Sequence, residues 1–133
     1  MSGRVFILIG SIAASISVLA GAFGAHALSD VLGERADVYE TAARYHMYHA
    51  LALVLVGLLV RRYESKMIRN AGWLFLAGII VFSGSLYTLA ITNDGLWGAV
   101  TPVGGVLFVA AWLMMGVGVW KAPRTSTPSY YSR

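Results

Sequence analysis

The chain has 133 residues, 58% of them hydrophobic, with a mean hydropathy of +0.70, against about 45–50% apolar residues in an ordinary globular domain. Charged residues make up 12%, roughly half the usual share, and the lack of any cysteine excludes disulfides, thiolate-ligated metals and thiol catalysis. The net charge of +4 does not indicate nucleic acid, because its basic residues sort to one end of the long apolar segments.

Three uncharged stretches, Val5–Leu28, Ala71–Asn93 and Gly95–Trp120, are each long enough to cross a roughly 30 Å hydrocarbon core as a helix of about 20 residues. A fourth, Tyr45–Val60, is shorter and carries two histidines. The expected architecture is all-α: a polytopic membrane protein with four transmembrane helices in a bundle, spans at about 5–28, 42–61, 71–92 and 100–120. Residues 1–122 form one domain, with no soluble domain, and residues 123–133 are expected to be a disordered cytoplasmic tail.

The first span is rich in small residues. Ala13, Ser17, Gly21 and Ala25 repeat every four residues on one helix face, with Gly10, Ala14, Ala20 and Gly24 beside it. Small residues allow the close backbone approach that favours helix association in lipid; packing within the bundle is the preferred reading. Ala25-His26-Ala27 has the form of a signal-peptidase site, but the preceding apolar run of about 20 residues exceeds the 7–15 of a signal peptide. The first helix is therefore expected to be retained.

The next segment is acidic. Ser29 is expected to begin a short turn ending near Gly33, and Asp37 with Glu40 fits a capping box for a helix from Val38 to Arg62. Its unbroken apolar run, Ala50–Val60, is too short to span. Counting back roughly 20 residues from Arg61 therefore brings Tyr45, His46 and His49 to membrane depth, with His49 roughly 18 Å above Arg61. In the third span Ser83 falls level with His49, and Tyr87 lies one turn higher. Asn93-Asp94-Gly95 signals a turn. Thr101-Pro102 reads as an N-cap followed by proline at the first helical position, which would put Gly104 and Gly105 in the first turn of the fourth helix.

Eight of the ten Lys and Arg residues fall on the side shared by both termini and the middle connection, while five of the six acids fall on the other. The positive-inside rule makes both termini cytoplasmic, and the basic side can touch anionic headgroups. The remaining chemistry is a polar cluster in the outer half: His26, Tyr45, His49, Ser83 and Tyr87, with Thr101 and Gly104 at a helix N-terminus whose free N–H groups could hold an anion. Intramembrane ionisable residues are functional candidates by default. A metal or haem site would use His26, His46 and His49, but no carboxylate lies at matching depth. A proton-linked transporter or small-ligand protein would use the imidazoles as titrating groups. The adopted reading is interhelical hydrogen bonding that fixes a structural or assembly component. No catalytic signature is present, so no enzyme activity and no cofactor are expected.

Gly21-Ala-Phe-Gly-Ala-His-Ala-Leu28, Arg44-Tyr45 with Met47-Tyr48-His49-Ala50, Phe82-Ser-Gly-Ser-Leu-Tyr87 and Thr101-Pro-Val-Gly-Gly105 together resemble the domain-of-unknown-function 423 family. These are small bacterial inner-membrane proteins related to the eukaryotic transmembrane protein 256 group. The resemblance covers about residues 4–122. It implies four membrane helices, an uncleaved first span and a multi-pass inner (plasma) membrane location, but no activity. The family pattern usually has glutamine where this chain has His46, which implies that His26 and His49 carry the shared role. The bilayer is the expected partner, together with a homo-oligomer that uses whichever of the two small-residue stripes on the first span is not packed within the bundle, so that Gly21→Leu would disturb either the fold or the assembly; other protein partners are unknown.

Overall fold

The computed structural model describes residues 3–123; the expected tail therefore lies outside the described residues apart from Pro123. The chain folds as α1 (Gly3–Ala25), α2 (Ser29–Leu32), a 3₁₀ turn (Gly33–Arg35), α3 (Ala36–Arg62), α4 (Lys66–Gly78), a π-helical turn (Ile79–Ser83), α5 (Gly84–Thr92) and α6 (Leu96–Lys121). The third span is thus α4, the π turn and α5 in continuous succession. Among the described residues, four segments are long and apolar enough to cross a membrane: Gly3–Ala25, Ser29–Arg62, Lys66–Thr92 and Leu96–Lys121. Large apolar side chains such as Leu8, Leu19, Val106 and Leu113 lie more than half exposed, the outward surface that a hydrocarbon surround requires.

The segments pack in sequence order: α1 against α3, α3 against the third span, and the third span against α6. In the first interface, side chains are small on both sides. A methyl added to Gly57 would lie 2.6 Å from the Gly3 carbonyl oxygen, and one on Gly10 would lie 2.7 Å from that of Ala50. One seam step further on, the Ser17 hydroxyl donates to the Ala43 carbonyl at 2.8 Å. Gly3, Gly10 and Ser17 therefore meet Gly57, Ala50 and Ala43, in steps of seven along both antiparallel helices. That repeat is the signature of a left-handed seam, here narrowed by glycine and alanine to backbone contact. The seam lies on a different line from the four-residue stripe: Ala13 and Ser17 are buried, but a methyl on Gly21 would meet nothing within 4 Å.

The interface with α6 alternates bulk and void instead. Gly104 approaches the Phe82 backbone so closely that a methyl would sit 2.6 Å from Phe82 Cα, Gly78 makes room for the Phe108 ring, and Gly118 makes room for Ile68. Phe6, Leu53, Val56, Ile68 and Phe75, all fully buried, fill the space between the segments.

Two expected helix starts shift, and the helix of the third span extends beyond the expected apolar stretch. Asp37 does not cap α3, because the 3₁₀ turn feeds directly into a helix that begins at Ala36 with Arg35 at the N-cap; Asp37 sits in the first turn, where a carboxylate suits the helix dipole. The third span begins at Lys66, capped by the Ser65 hydroxyl, which accepts the Ile68 N–H. The fourth begins at Leu96, whose N–H is accepted by Asp94 Oδ1 at 3.0 Å. Thr101 and Pro102 therefore lie inside α6, and Gly104 and Gly105 are not in its first turn. Proline removes only the N–H that would have met the Gly98 carbonyl, and membrane helices tolerate this. Between the third span and α6, Asn93 takes the left-handed conformation (φ 55°) that closes the turn.

Candidate functional site: an imidazole clasp between α3 and its neighbours

His46 and His49 sit three residues apart on α3, both almost fully buried (6% and 5% exposed), yet they serve different neighbours. His46 Nδ1 hydrogen-bonds the Tyr87 hydroxyl of α5 at 3.2 Å. Tyr87 also packs edge-on against Tyr39 at 5.0 Å, and the Tyr39 hydroxyl donates to the Ala20 carbonyl of α1 at 2.8 Å. One polar seam thereby ties α1, α3 and α5.

His49 faces α6. Its Nδ1 lies 2.7 Å from the Tyr45 carbonyl, which can only accept, and its Nε2 lies 3.3 Å from the Trp112 indole N–H, which can only donate. These two partners define a neutral ring protonated on Nδ1. Phe108 stacks on the imidazole with centroids 3.4 Å apart and planes within 5°, and Phe75 and Trp112 close around it. The ring is thus held on both faces of its chemistry, nitrogens and π surface alike. A third contact lies nearer the acidic end, where Ser85 Oγ and Thr101 Oγ1 are 2.7 Å apart and Ser85 donates to the Phe82 carbonyl.

The π turn sets the rotation of these groups. Gly84 N–H reaches back five residues to the Ile79 carbonyl, so the turn contains one residue more than an α-helical turn. Within it, Ser83 is buried (1% exposed), and its hydroxyl has no hydrogen-bond partner among the described residues.

The expected cluster is therefore divided. His49 and Tyr45 lie together, as do Tyr87 and His46, and Ser85 joins Thr101, whereas Ser83 stands alone. His26 lies exposed in the turn after α1, where its carbonyl accepts the Ser29 hydroxyl. Gly104 serves close packing rather than an open helix end, and with α6 beginning at Leu96 the proposed anion cradle at Thr101–Gly105 does not form. Among the described residues no group of three or more His, Cys, Asp or Glu is placed to hold a metal ion. Trp112 and Phe108 were missed in the sequence. An indole in the middle of an apolar span was the available signal, because its N–H needs an acceptor in hydrocarbon.

Beside the clasp runs a groove of about 790 Å³ between α3, the π turn and α6, lined by Tyr45, His49, Phe82, Pro102, Trp112 and Leu113 among others. Across α3, a second groove of about 360 Å³ lies between α1 and α4, with His46 in its wall.

The family model described as protein of unknown function (DUF423) matches residues 20–105. A UPF0382 membrane protein of Staphylococcus haemolyticus is 43% identical over 119 residues, covering 89% of this chain and 97% of the relative. The UPF0382 membrane protein YwdK of Bacillus subtilis is 44% identical over 120 residues, covering 89% and 98%. No solved structure matches the chain.

Proposed function

Because the chain belongs to the DUF423 family, a group of membrane proteins without an assigned activity, we propose a role from its own chemistry: it is a structural or assembly component of the bacterial plasma membrane, not an enzyme, and its imidazole clasp fixes the bundle. The observation that carries this reading is His49. Both of its nitrogens are engaged, and its ring is stacked on Phe108. To take up a proton or a metal at Nε2, the ring would have to release Trp112. A carrier site needs a nitrogen facing water or ligand, whereas a clasp needs one facing protein. The basic ends of the four spans lie on the cytoplasmic side in this reading.

The test is a paired measurement on reconstituted protein. His49→Ala is expected to lower unfolding stability in mixed micelles by about 1–3 kcal/mol, since it strands the Trp112 N–H and empties the stack. Vesicles carrying the wild type are expected to show no proton flux above protein-free vesicles. A His49→Gln variant of unchanged stability that abolished a measurable flux would overturn the clasp in favour of transport.

The groove beside His49 favours a second reading, a small apolar ligand held against Tyr45 and Trp112, because its volume falls in the range of ligand pockets, about 300–1,000 Å³. Mass measurement of protein released from native membranes separates the two. A stoichiometric small molecule lost on Gly105→Leu supports ligand binding; its absence supports the clasp alone.

A further inference from the structure

We propose that the groove between α1 and α4 holds one anionic phospholipid, with its phosphate against Arg69 and one acyl chain along the groove. The inference stands apart from the clasp and does not depend on it. Arg69 is four residues before Trp73, seven before Leu76 and eleven before Ile80. At about 100° per residue these four positions fall in one sector of the third span. Leu76 and Ile80 form one wall of the 360 Å³ groove, and Ile9, Ile12 and Ile16 of α1 form the other. The headgroup end and the chain end of the site are therefore one continuous strip.

The Arg69 side chain is half-buried, and its covered Nε has no hydrogen-bond partner among the described residues, so a phosphate would meet the guanidinium once the side chain turns outward. Leaving a charged donor without an acceptor costs more than leaving a neutral one. Among the described residues the only acid at that end is Glu64, against Arg4, Arg61, Arg62, Lys66, Arg69 and Lys121. The Arg61 stem packs where a methyl on Gly3 would sit, so this charge lies beside the start of α1. Phosphate oxygens are the acceptors a guanidinium fits best, and an anionic headgroup gains from the surrounding field. Trp73, 40% exposed and edge-on to Phe6 at 5.4 Å, follows Arg69 by one turn on the same sector of the helix and is the residue type that marks the boundary of the hydrocarbon. A free anion could satisfy Arg69 but not the apolar walls; an alkane could fill the walls but not satisfy Arg69. A phospholipid does both.

The full chain would be reconstituted in vesicles of equal phosphatidylglycerol and phosphatidylcholine, extracted in mild detergent, and its retained lipids counted by native mass spectrometry. One phosphatidylglycerol is expected to stay bound in preference to phosphatidylcholine. Arg69→Gln is expected to weaken retention roughly 10-fold, the loss of one charge-assisted contact, while Lys121→Gln leaves it nearly unchanged. Ile12→Trp, which fills the groove from an exposed position, is expected to abolish retention with Arg69 intact. This second variant decides the matter if Arg69→Gln fails to fold. Equal losses in Arg69→Gln and Lys121→Gln would reduce the effect to diffuse surface charge and overturn the site. Displacement by inorganic phosphate, with retention unaffected by Ile12→Trp, would make it a simple anion site and overturn the lipid.

Discussion

The hydrogen bond from Trp112 to His49 joins two side chains that each need the other. In hydrocarbon an indole N–H has no water to turn to, and an imidazole nitrogen has none either. Trp112→Phe is therefore expected to lower stability by about 0.6–2 kcal/mol, the range for interhelical polar contacts. The same change made in a His49→Phe background should cost less, because the nitrogen it served is already gone. Unfolding of the two singles and the double in mixed micelles measures the difference. Ser83 gives the opposite case. Its hydroxyl is buried without a partner among the described residues, so Ser83→Ala is expected to leave stability unchanged or raise it by up to about 1 kcal/mol. At this scale the sequence was partly readable. Helix spacing placed Tyr45 beside His49, four residues apart on one face, but it could not show that Trp112, 63 residues later, supplies the donor. Contacts of that kind depend on how α6 is rotated, and α6 is apolar all round its circumference, so no face of it announces an inward direction.

Rotation is also what separates the two small-residue patterns on α1. The four-residue stripe through Gly21 and the seven-residue seam through Gly3, Gly10 and Ser17 share Ser17 and then diverge around the helix. Only the seam has matching small residues on α3, at Ala43, Ala50 and Gly57, spaced by the same seven. The pairing was present in the sequence, but seeing it requires comparing two helices rather than scanning one. Gly10→Leu or Gly57→Leu is expected to disrupt the bundle, because the added side chain would meet the opposing backbone. Gly21→Leu is expected to leave the fold intact, since a side chain there meets nothing within 4 Å. Circular dichroism and protease resistance in detergent distinguish Gly10→Leu from Gly21→Leu, and equal behaviour of the two would count against the seam. The start of α6 was misread for a plain reason. Thr101-Pro102 carries a strong local signal for a helix N-terminus, and the Asp94 side chain, capping Leu96, prevails over it.

Across the molecule, hydropathy and charge were sufficient for the four spans, since both follow from the solvent surrounding the chain rather than from particular contacts. The two basic helix ends at Arg61-Arg62 and Lys121 and the basic start of α4 fall together at one end of the bundle, while the turn at Asn93–Gly95 lies at the other. A single cysteine placed at Ser65 is expected to be labelled from the cytoplasm, and one at Asp94 from outside. The cysteine-free chain makes either label unambiguous, and cytoplasmic labelling at Asp94 would reverse the orientation. The opposite end is held by Arg35, whose Nε donates to the Ala90 carbonyl at 2.8 Å, placing a cation at the C-terminal end of α5, where the helix dipole favours it.

The extra residue in the π turn makes the length of the third span as consequential as its composition. Rewinding Ile79–Ser83 as ordinary helix, with all five residues kept, would leave every side chain chemically intact. It would also turn the outer half of the span by about 100°, carrying Tyr87 away from His46 and Ser85 away from Thr101 together. The winding itself is therefore a specification: a chain of this kind can exchange Ile for Val within the turn at little cost, yet cannot tighten the turn without dismantling two contacts it never touches.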